Sequence, residues 1–241
     1  MPKADPFVQR RLLDLAGLDQ SINAAEHRRQ ALPELAVIAT GTDKLASLRN
    51  AKVLAETEVS DLERANRKLD NEIDQVRARA ARDAQRLAAG TGNAKDMENM
   101  QHEITSLSRR QNVLEDEALE LMEQKESAEG ALESVRQEFD SLQAQVSAAQ
   151  SRRDDVFAGL DAELVTHRQD RADLLAGLPA DLAALYEKVH RSGRVAAAKL
   201  SGGRCEACRI DIDRVELSAI ASAASDEVVR CPECGAILIR W

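Results

Sequence analysis

Residues 97–160 read MENM QHEITSLSRR QNVLEDEALE LMEQKESAEG ALESVRQEFD SLQAQVSAAQ SRRDDVFAGL, and this stretch decides the fold. Met97, Ile104, Ala118, Leu132, Phe139, Val146 and Leu160 fall at heptad position a. Met100, Leu107, Leu114, Leu121, Ala128, Val135, Leu142, Ala149 and Val156 fall at d. Gln111, Lys125 and Arg153 interrupt, so sixteen of nineteen seam positions are apolar. A seam sustained at this spacing lays one apolar stripe along a helix and requires a second helix to cover it.

The partner lies upstream. Leu45, Val59, Ile73, Ala80 and Leu87 at a, with Leu48, Ala55, Leu62, Leu69 and Val76 at d, form a second seam broken at Lys52, Asn66 and Asp83. Between the arms, Gly90-Thr91-Gly92-Asn93 ends one helix and lets Asn93 cap the next. Two such arms of about 80 residues each predict an antiparallel hairpin, a rod of roughly 120 Å at the helical rise. Pro33 lacks an amide donor and interrupts the first arm. Gly41-Thr42-Asp43 is a second weak point, where Thr42 or Asp43 restarts the helix. The segment from Phe7 to Leu32 is expected to pack against the end of the second arm. That arm ends near Gly177-Leu178-Pro179. A short helix from Ala180 to His190 follows, with Leu182, Leu185, Tyr186 and Val189 on one face and Tyr186 as the anchor of the C-terminal module. The expected architecture is mainly α. A coiled-coil hairpin occupies residues 1–178, with its tip near 89–96 and a kink near 33–43; a short helix and a small module occupy 179–241.

Composition agrees. Of 241 residues, 44% are apolar and 31% charged but only 2% aromatic, namely Phe7, Phe139, Phe157, Tyr186 and Trp241. Leu, Ala and charged residues in these proportions make long helices, and so few aromatics argue against a large compact core. No uncharged apolar run reaches membrane-spanning length, and Met1 to Arg11 lacks a signal-peptide core, so a cytoplasmic protein is expected. There is no Gly-rich phosphate loop, nucleophile elbow or paired-carboxylate motif. His27, His102, His167 and His190 sit on helices without a second ligand at i+4. Neither an enzyme nor a small-molecule substrate is expected.

The module itself carries all four cysteines, as Cys205-Glu206-Ala207-Cys208 and Cys231-Pro232-Glu233-Cys234-Gly235. Two residues between paired cysteines let both sulfurs meet one ion, and two such knuckles close a tetrahedron with no position left for water. Strands as short as Glu227–Arg230 and Ala236–Arg240 cannot make a core, so one structural Zn2+ would supply folding free energy, on the order of 10–16 kcal/mol for isolated sites. Four thiolates suit iron as well, which leaves zinc and iron both open. A redox pair would open a helix of a thioredoxin-like unit, and no such unit is visible.

From Lys188 onward nine basic residues face seven acidic ones, so the module carries +2 before its metal and the remaining residues −11 of the total −9. Arg191, Arg194, Lys199, Arg204 and Arg209 concentrate the positive charge on one edge, suited to an acidic protein or to phosphates of RNA or DNA. Base-stacking aromatics are scarce there, apart from Tyr186 and Trp241.

These motifs together resemble the bacterial C4-type zinc-ribbon family of long coiled-coil hairpins. Cys205-Glu206-Ala207-Cys208 matches, as does Asp226-Glu227-Val228-Val229-Arg230-Cys231-Pro232-Glu233-Cys234-Gly235-Ala236-Ile237-Leu238. So do the tip stretch Asn93-Ala94-Lys95-Asp96 with Gln101-His102-Glu103-Ile104, and Leu178-Pro179 before Tyr186. Ala207 and Ala236 depart from the family's frequent Gly and Arg, which leaves the ligands untouched. The resemblance implies an adaptor or chaperone-like protein, with clients among export or motility components, RNA or a sigma factor. Tip residues Asn93, Lys95, Asp96 and Gln101 then read either as a partner contact or as a helix cap followed by its first heptad. Asp96 and Glu98 also admit comparison with RNA polymerase factors that insert an acidic coiled-coil tip. A zinc hook is excluded, because its cysteines would have to sit at that tip.

Overall fold

A computed structural model describes residues 2–90 and 92–240. Thr91 of the tip turn, Met1, and Trp241 with its expected place beside the module lie outside the described residues. The elements are α1 (Pro6–Gln30), α2 (Pro33–Ala88), α3 (Ala94–Ala176), α4 (Ala180–His190), β1 (Ala197–Ser201), β2 (Arg204–Cys205), α5 (Arg214–Ser222), β3 (Val229–Arg230) and β4 (Ile237–Ile239). They form two compact units, Ala36–Gln150 and Met1–Leu35 with Ser151–Trp241.

In the first unit, α2 and α3 run antiparallel. Ion pairs join Glu56 to Arg136, Glu63 to Lys125, Glu72 to Arg110 and Arg79 to Glu103, one residue number rising as the other falls. Every expected seam position of α2 from Leu45 to Leu87, and of α3 from Ile104 to Ala149, is buried or half-buried, polar Gln111 and Lys125 included. At the tip, Gly90 and Gly92 take positive φ. The amide of Asp96 donates to Asn93 Oδ1 (2.9 Å), and the amide of Asn93 donates to Asp96 Oδ2 (3.2 Å), a reciprocal capping box that starts α3.

The first arm departs from expectation in one respect. The chain breaks at Ala31–Leu32, ahead of Pro33, which opens α2 where its missing amide costs nothing. Gly41-Thr42-Asp43 does not restart a helix, because α2 runs straight through it. The Thr42 hydroxyl donates back to the Ile38 carbonyl (2.7 Å) in place of capping. Gly41 is buried, and a Cβ there would collide with the Cγ2 of Val146 on α3. Its glycine marks a close helix approach.

In the second unit, α1 begins on Asp5, whose carboxylate accepts from the Phe7 amide (2.8 Å), and Pro6 occupies the first turn. It lies against the end of α3 through Glu26–Arg168, Arg28–Glu163 and Arg29–Asp161 pairs over a small core of Ile22, Ala25, Leu160 and Leu164. Facing α1 changes the phase of the α3 seam. Val156, expected at d, is 41% exposed, and the half-buried residue is Phe157, with the Arg29 guanidinium over its ring. Two successive four-residue steps, Ala149 to Arg153 to Phe157, are a stutter in the heptad repeat.

The expected boundary at 178/179 marks a helix end, and the core runs across it. Leu12 and Leu15 of α1, Leu178, and Leu182, Tyr186 and Val189 of α4 pack with Ala197, Val228, Ile237 and Ile239. The sheet, ordered β2-β1-β4-β3, has β1 parallel to β4 and the other pairs antiparallel. Ile237 and Ile239 face the helices, while Leu238 faces the cysteines with Ile212 and Ile220. At the centre of this unit Asp19, almost wholly buried, accepts from the Tyr186 hydroxyl (2.6 Å) and Arg171 Nε (2.5 Å), and lies 3.2 Å from His190 Nδ1. Arg171 also reaches Glu187 at 2.7 Å. Burial, then donation to Asp19, pushes the Tyr186 hydroxyl far above the ordinary tyrosine range.

Two outcomes follow in denaturation experiments. Gly41→Ala destabilises the protein by about 1 kcal/mol net of its helix-propensity gain, whereas Gly130→Ala, with open space around it, stabilises by about 0.5–1 kcal/mol. Tyr186 is the sole tyrosine, so phenolate absorbance reads it alone. Above about pH 10 the unfolded chain releases that proton and the folded chain keeps it, so stability is full below pH 10 and falls as pH rises. Tyr186→Phe abolishes that alkaline slope and costs about 2 kcal/mol at neutral pH.

Candidate metal centre and basic surface

The two cysteine knuckles are structural twins. In Arg204-Cys205-Glu206-Ala207-Cys208-Arg209, the Arg209 amide donates to the Cys205 carbonyl (2.7 Å) and the Cys205 amide to the Ile210 carbonyl (3.1 Å). In Arg230-Cys231-Pro232-Glu233-Cys234-Gly235, the Gly235 amide donates to the Cys231 carbonyl (2.9 Å) and the Cys231 amide to the Ala236 carbonyl (2.8 Å). Both turns close on a residue with positive φ, Arg209 at 62° and Gly235 at 77°. The arginine before each first cysteine clamps its turn: Arg204 Nε donates to the Arg209 carbonyl (2.6 Å), and Arg230 Nε to the Gly235 carbonyl (2.8 Å).

This geometry brings Cys205, Cys208, Cys231 and Cys234 together with all four sulfurs within 4.8 Å of one another. Across the knuckles, Cys205 Sγ lies 3.8 Å from Cys234 Sγ, and Cys208 Sγ 3.9 Å from Cys231 Sγ. A tetrahedron with Zn–S bonds of 2.3 Å has edges of about 3.8 Å, so the four sulfurs fit zinc. The amides of Ala207 and Cys208 point at the Cys205 sulfur, that of Ile210 at Cys208 and that of Ala236 at Cys234. These dipoles favour thiolate; the Ile210 amide holds Cys208 below the usual thiol range. Burial works the other way, pushing Cys205 up and Cys234 up to about 12. A divalent cation reverses that penalty, since its charge is the largest in the site. The zinc is structural: four protein ligands fill the tetrahedron.

Of the five basic residues expected on one edge, Arg191, Arg194, Lys199 and Arg209 line a single concave surface of about 880 Å³. It runs between α1 (Leu13, Gly17, Gln20), the α4–β1 connection and the first knuckle. Arg194 is held there by its bond to the Cys234 carbonyl (3.2 Å) and Arg191 by the Glu187 carbonyl (3.3 Å). Arg204 lies outside the concavity as the knuckle clamp, 4.0 Å from Asp211. At the tip, Asn93 and Asp96 serve each other as caps, while Lys95 and Gln101 are exposed.

Three features escaped the sequence reading. The clamp role of Arg204 and Arg230 was signalled by the repeated Arg-Cys-x-x-Cys. Strand β1, AAKLS, carried no β-branched or aromatic signal. Arg240 counted only as charge, yet its guanidinium satisfies the carbonyls of Ile220, Ala223, Ala224 and Glu227 at the end of α5.

Cys231→Ser, or chelation of the wild type, should release the zinc and unfold the ribbon while the far-ultraviolet helical signal of α2 and α3 persists. Zinc content measured against pH should fall as pH falls, because protons compete for the thiolates.

Residues 15–194 match the model of the CT398-like coiled coil hairpin domain, and residues 204–238 that of the C4-type zinc ribbon domain. An uncharacterized protein from Mycobacterium tuberculosis is 40% identical over 245 residues, covering 99% of this chain and 97% of the relative. One from Mycobacterium leprae is 31% identical over 230 residues, covering 92% and 96%. A solved structure from Mycobacterium smegmatis superposes with a TM-score of 0.85 at 36% identity, covering 99% of this chain and all of that one. A Helicobacter pylori structure shares the fold at a TM-score of 0.52 and 15% identity, with 98% of each chain covered. No enzyme family appears among these matches. With its hairpin segment, its four-cysteine module and near full-length relatives all in agreement, this chain belongs to the CT398-like coiled coil hairpin family with a C4-type zinc ribbon.

Proposed function

We propose that the protein is a non-enzymatic, chaperone-like adaptor of the cytoplasm that holds protein partners on the basic concavity of its ribbon unit. The hairpin tip serves as a second contact. The observation that carries this reading is the concavity itself. Four cationic side chains from three segments line one surface, beside a metal whose coordination is complete and so offers no Lewis-acid position. Clusters of Arg on a concave surface suit carboxylates, which they bind through paired N–H donors. Nucleic acid, the alternative, would gain from exposed aromatics on which bases stack. Tyr186 is buried and committed to Asp19, which favours a protein partner. No helix among the described residues is long and apolar enough to cross a membrane, in keeping with that location.

Co-purification of the tagged full-length chain from its own cells, with and without nuclease, tests the reading. The expected result is a nuclease-resistant protein partner that is lost with the double substitution Arg191→Glu and Lys199→Glu. Partners released by nuclease would move the assignment to RNA or DNA. Partners indifferent to both treatments, and to changes at Lys95 and Gln101, would overturn it.

A further inference from the structure

The concavity holds a histidine that the count of its basic residues leaves out. His190 ends α4, and its side chain, 32% exposed, lines the surface next to Arg191. Its Nδ1 lies 3.2 Å from Asp19 Oδ2 on α1, and its ring lies nearly parallel to that of Tyr186. A carboxylate only accepts, so the neutral ring carries its proton on Nδ1 and donates it inward to Asp19. The other nitrogen, Nε2, has no hydrogen-bond partner among the described residues. It is not a buried atom either, so it opens to solvent in the concavity.

The charged and titratable groups around this ring come from every element packed on it. Asp19 belongs to α1, and Arg171 of α3 is committed to Asp19 and Glu187. From α4 come Tyr186, Glu187 and Arg191, from the turn after it Arg194, and from β1 Lys199; the first knuckle adds Glu206 and Arg209. Asp19 and the C-terminal end of α4 favour an imidazolium, and the surrounding cations oppose it. An acidic partner seated among those cations cancels their opposition and offers an acceptor to Nε2–H. Protonation and occupancy are then reciprocally linked: a ligand that prefers the charged ring raises its proton affinity by the same factor.

We infer that His190 is a proton-linked contact of this surface: Asp19 fixes the ring through Nδ1, and Nε2–H of the imidazolium donates to a carboxylate of an acidic partner protein. The inference rests on the reading of the concavity as a protein contact and adds its regulation by pH. Asp19 is a positioning residue here, acting on the partner through His190. Histidine changes charge between about pH 5 and 8. The contact is therefore complete at the acid end of that range and is lost as pH rises through it.

The probe is an acetylated, rhodamine-labelled decapeptide alternating Asp and Ser, whose carboxylates stay ionised from about pH 6 to 8. It is titrated by anisotropy, at fixed salt, into the zinc-loaded full-length chain. Binding is expected to be about tenfold tighter at pH 6 than at pH 8, the difference one charge-assisted hydrogen bond makes. His190→Gln is expected to bind at both pH values as the wild type does at pH 8. Proton NMR gives a second reading on the wild type: of its four histidines, the one whose C2–H resonance is missing from His190→Gln is His190. Saturating peptide is expected to move the titration midpoint of that resonance to higher pH and to leave those of His27, His102 and His167 in place. Equal affinity at the two pH values, an unchanged pH dependence in His190→Gln, or an unmoved His190 midpoint would each overturn the inference. If binding is indifferent to pH yet lost with Arg191→Glu and Lys199→Glu, the proton link is wrong and the adaptor reading stands. No peptide binding at either pH overturns the inference as well, and the adaptor reading falls with it only if the nuclease-resistant partner is also absent.

Discussion

A carboxylate taken out of water needs donors around it, and buried Asp19 draws them from two neighbouring helices. Arg171 approaches from α3, Tyr186 and His190 from α4, and Asp19 itself belongs to α1. Satisfying one acid therefore sets the rotation of three helices about each other. Removing the charged partner of such a group, here Arg171, costs about 3–5 kcal/mol, more than the hydrophobic contacts of a single small residue return. Once α4 is oriented by Tyr186, β1 follows within a few residues, and the core of Leu12, Leu15, Ala197, Ile237 and Ile239 closes on it. The ribbon is thus not an appendage on a tether. It shares its apolar core with α1 and Leu178.

The far face of the same sheet is held by different physics. Its apolar residues, Ile212, Ile220 and Leu238, are few, and no strand among the described residues exceeds five residues. Zinc replaces the missing core. The site gathers four thiolates on one divalent ion, a net charge of −2 that needs compensation nearby. Backbone amides aim at the sulfurs, and the guanidinium groups of Arg194, Arg204 and Arg230 lie on the carbonyls of Cys234, Arg209 and Gly235. Much of the module's basic charge is therefore built into its own turns.

Heptad reading anticipated the hairpin almost residue by residue, and Gln111 and Lys125 were half-buried as their positions required. That success has a local cause: the 3.5-residue repeat acts within each helix, whatever its distant neighbours. Its failures lie where a neighbour changes. Val156 lost its seam position because α3 there packs against α1, which shifts the stripe by one residue. Gly41 looked like a breaker, since glycine weakens an isolated helix, but Val146 of the facing arm fills the space its side chain would need. Helix α5 and strand β1 went unread because each is short and its apolar pattern makes sense only beside the cysteines or β4.

The two seams, the glycine turn, the short helix carrying Tyr186 and the four zinc ligands were all legible along the chain. Each of these rests on spacing along the chain, and spacing is preserved before anything folds. Packing across the chain makes Asp19 the hub, and sets Arg204 to clamp a turn while Arg209 lines a groove. These depend on residues far apart in the chain, Asp19 and Tyr186 being separated by 167 positions. Their meeting is set by how helices and strands pack, which no local periodicity encodes.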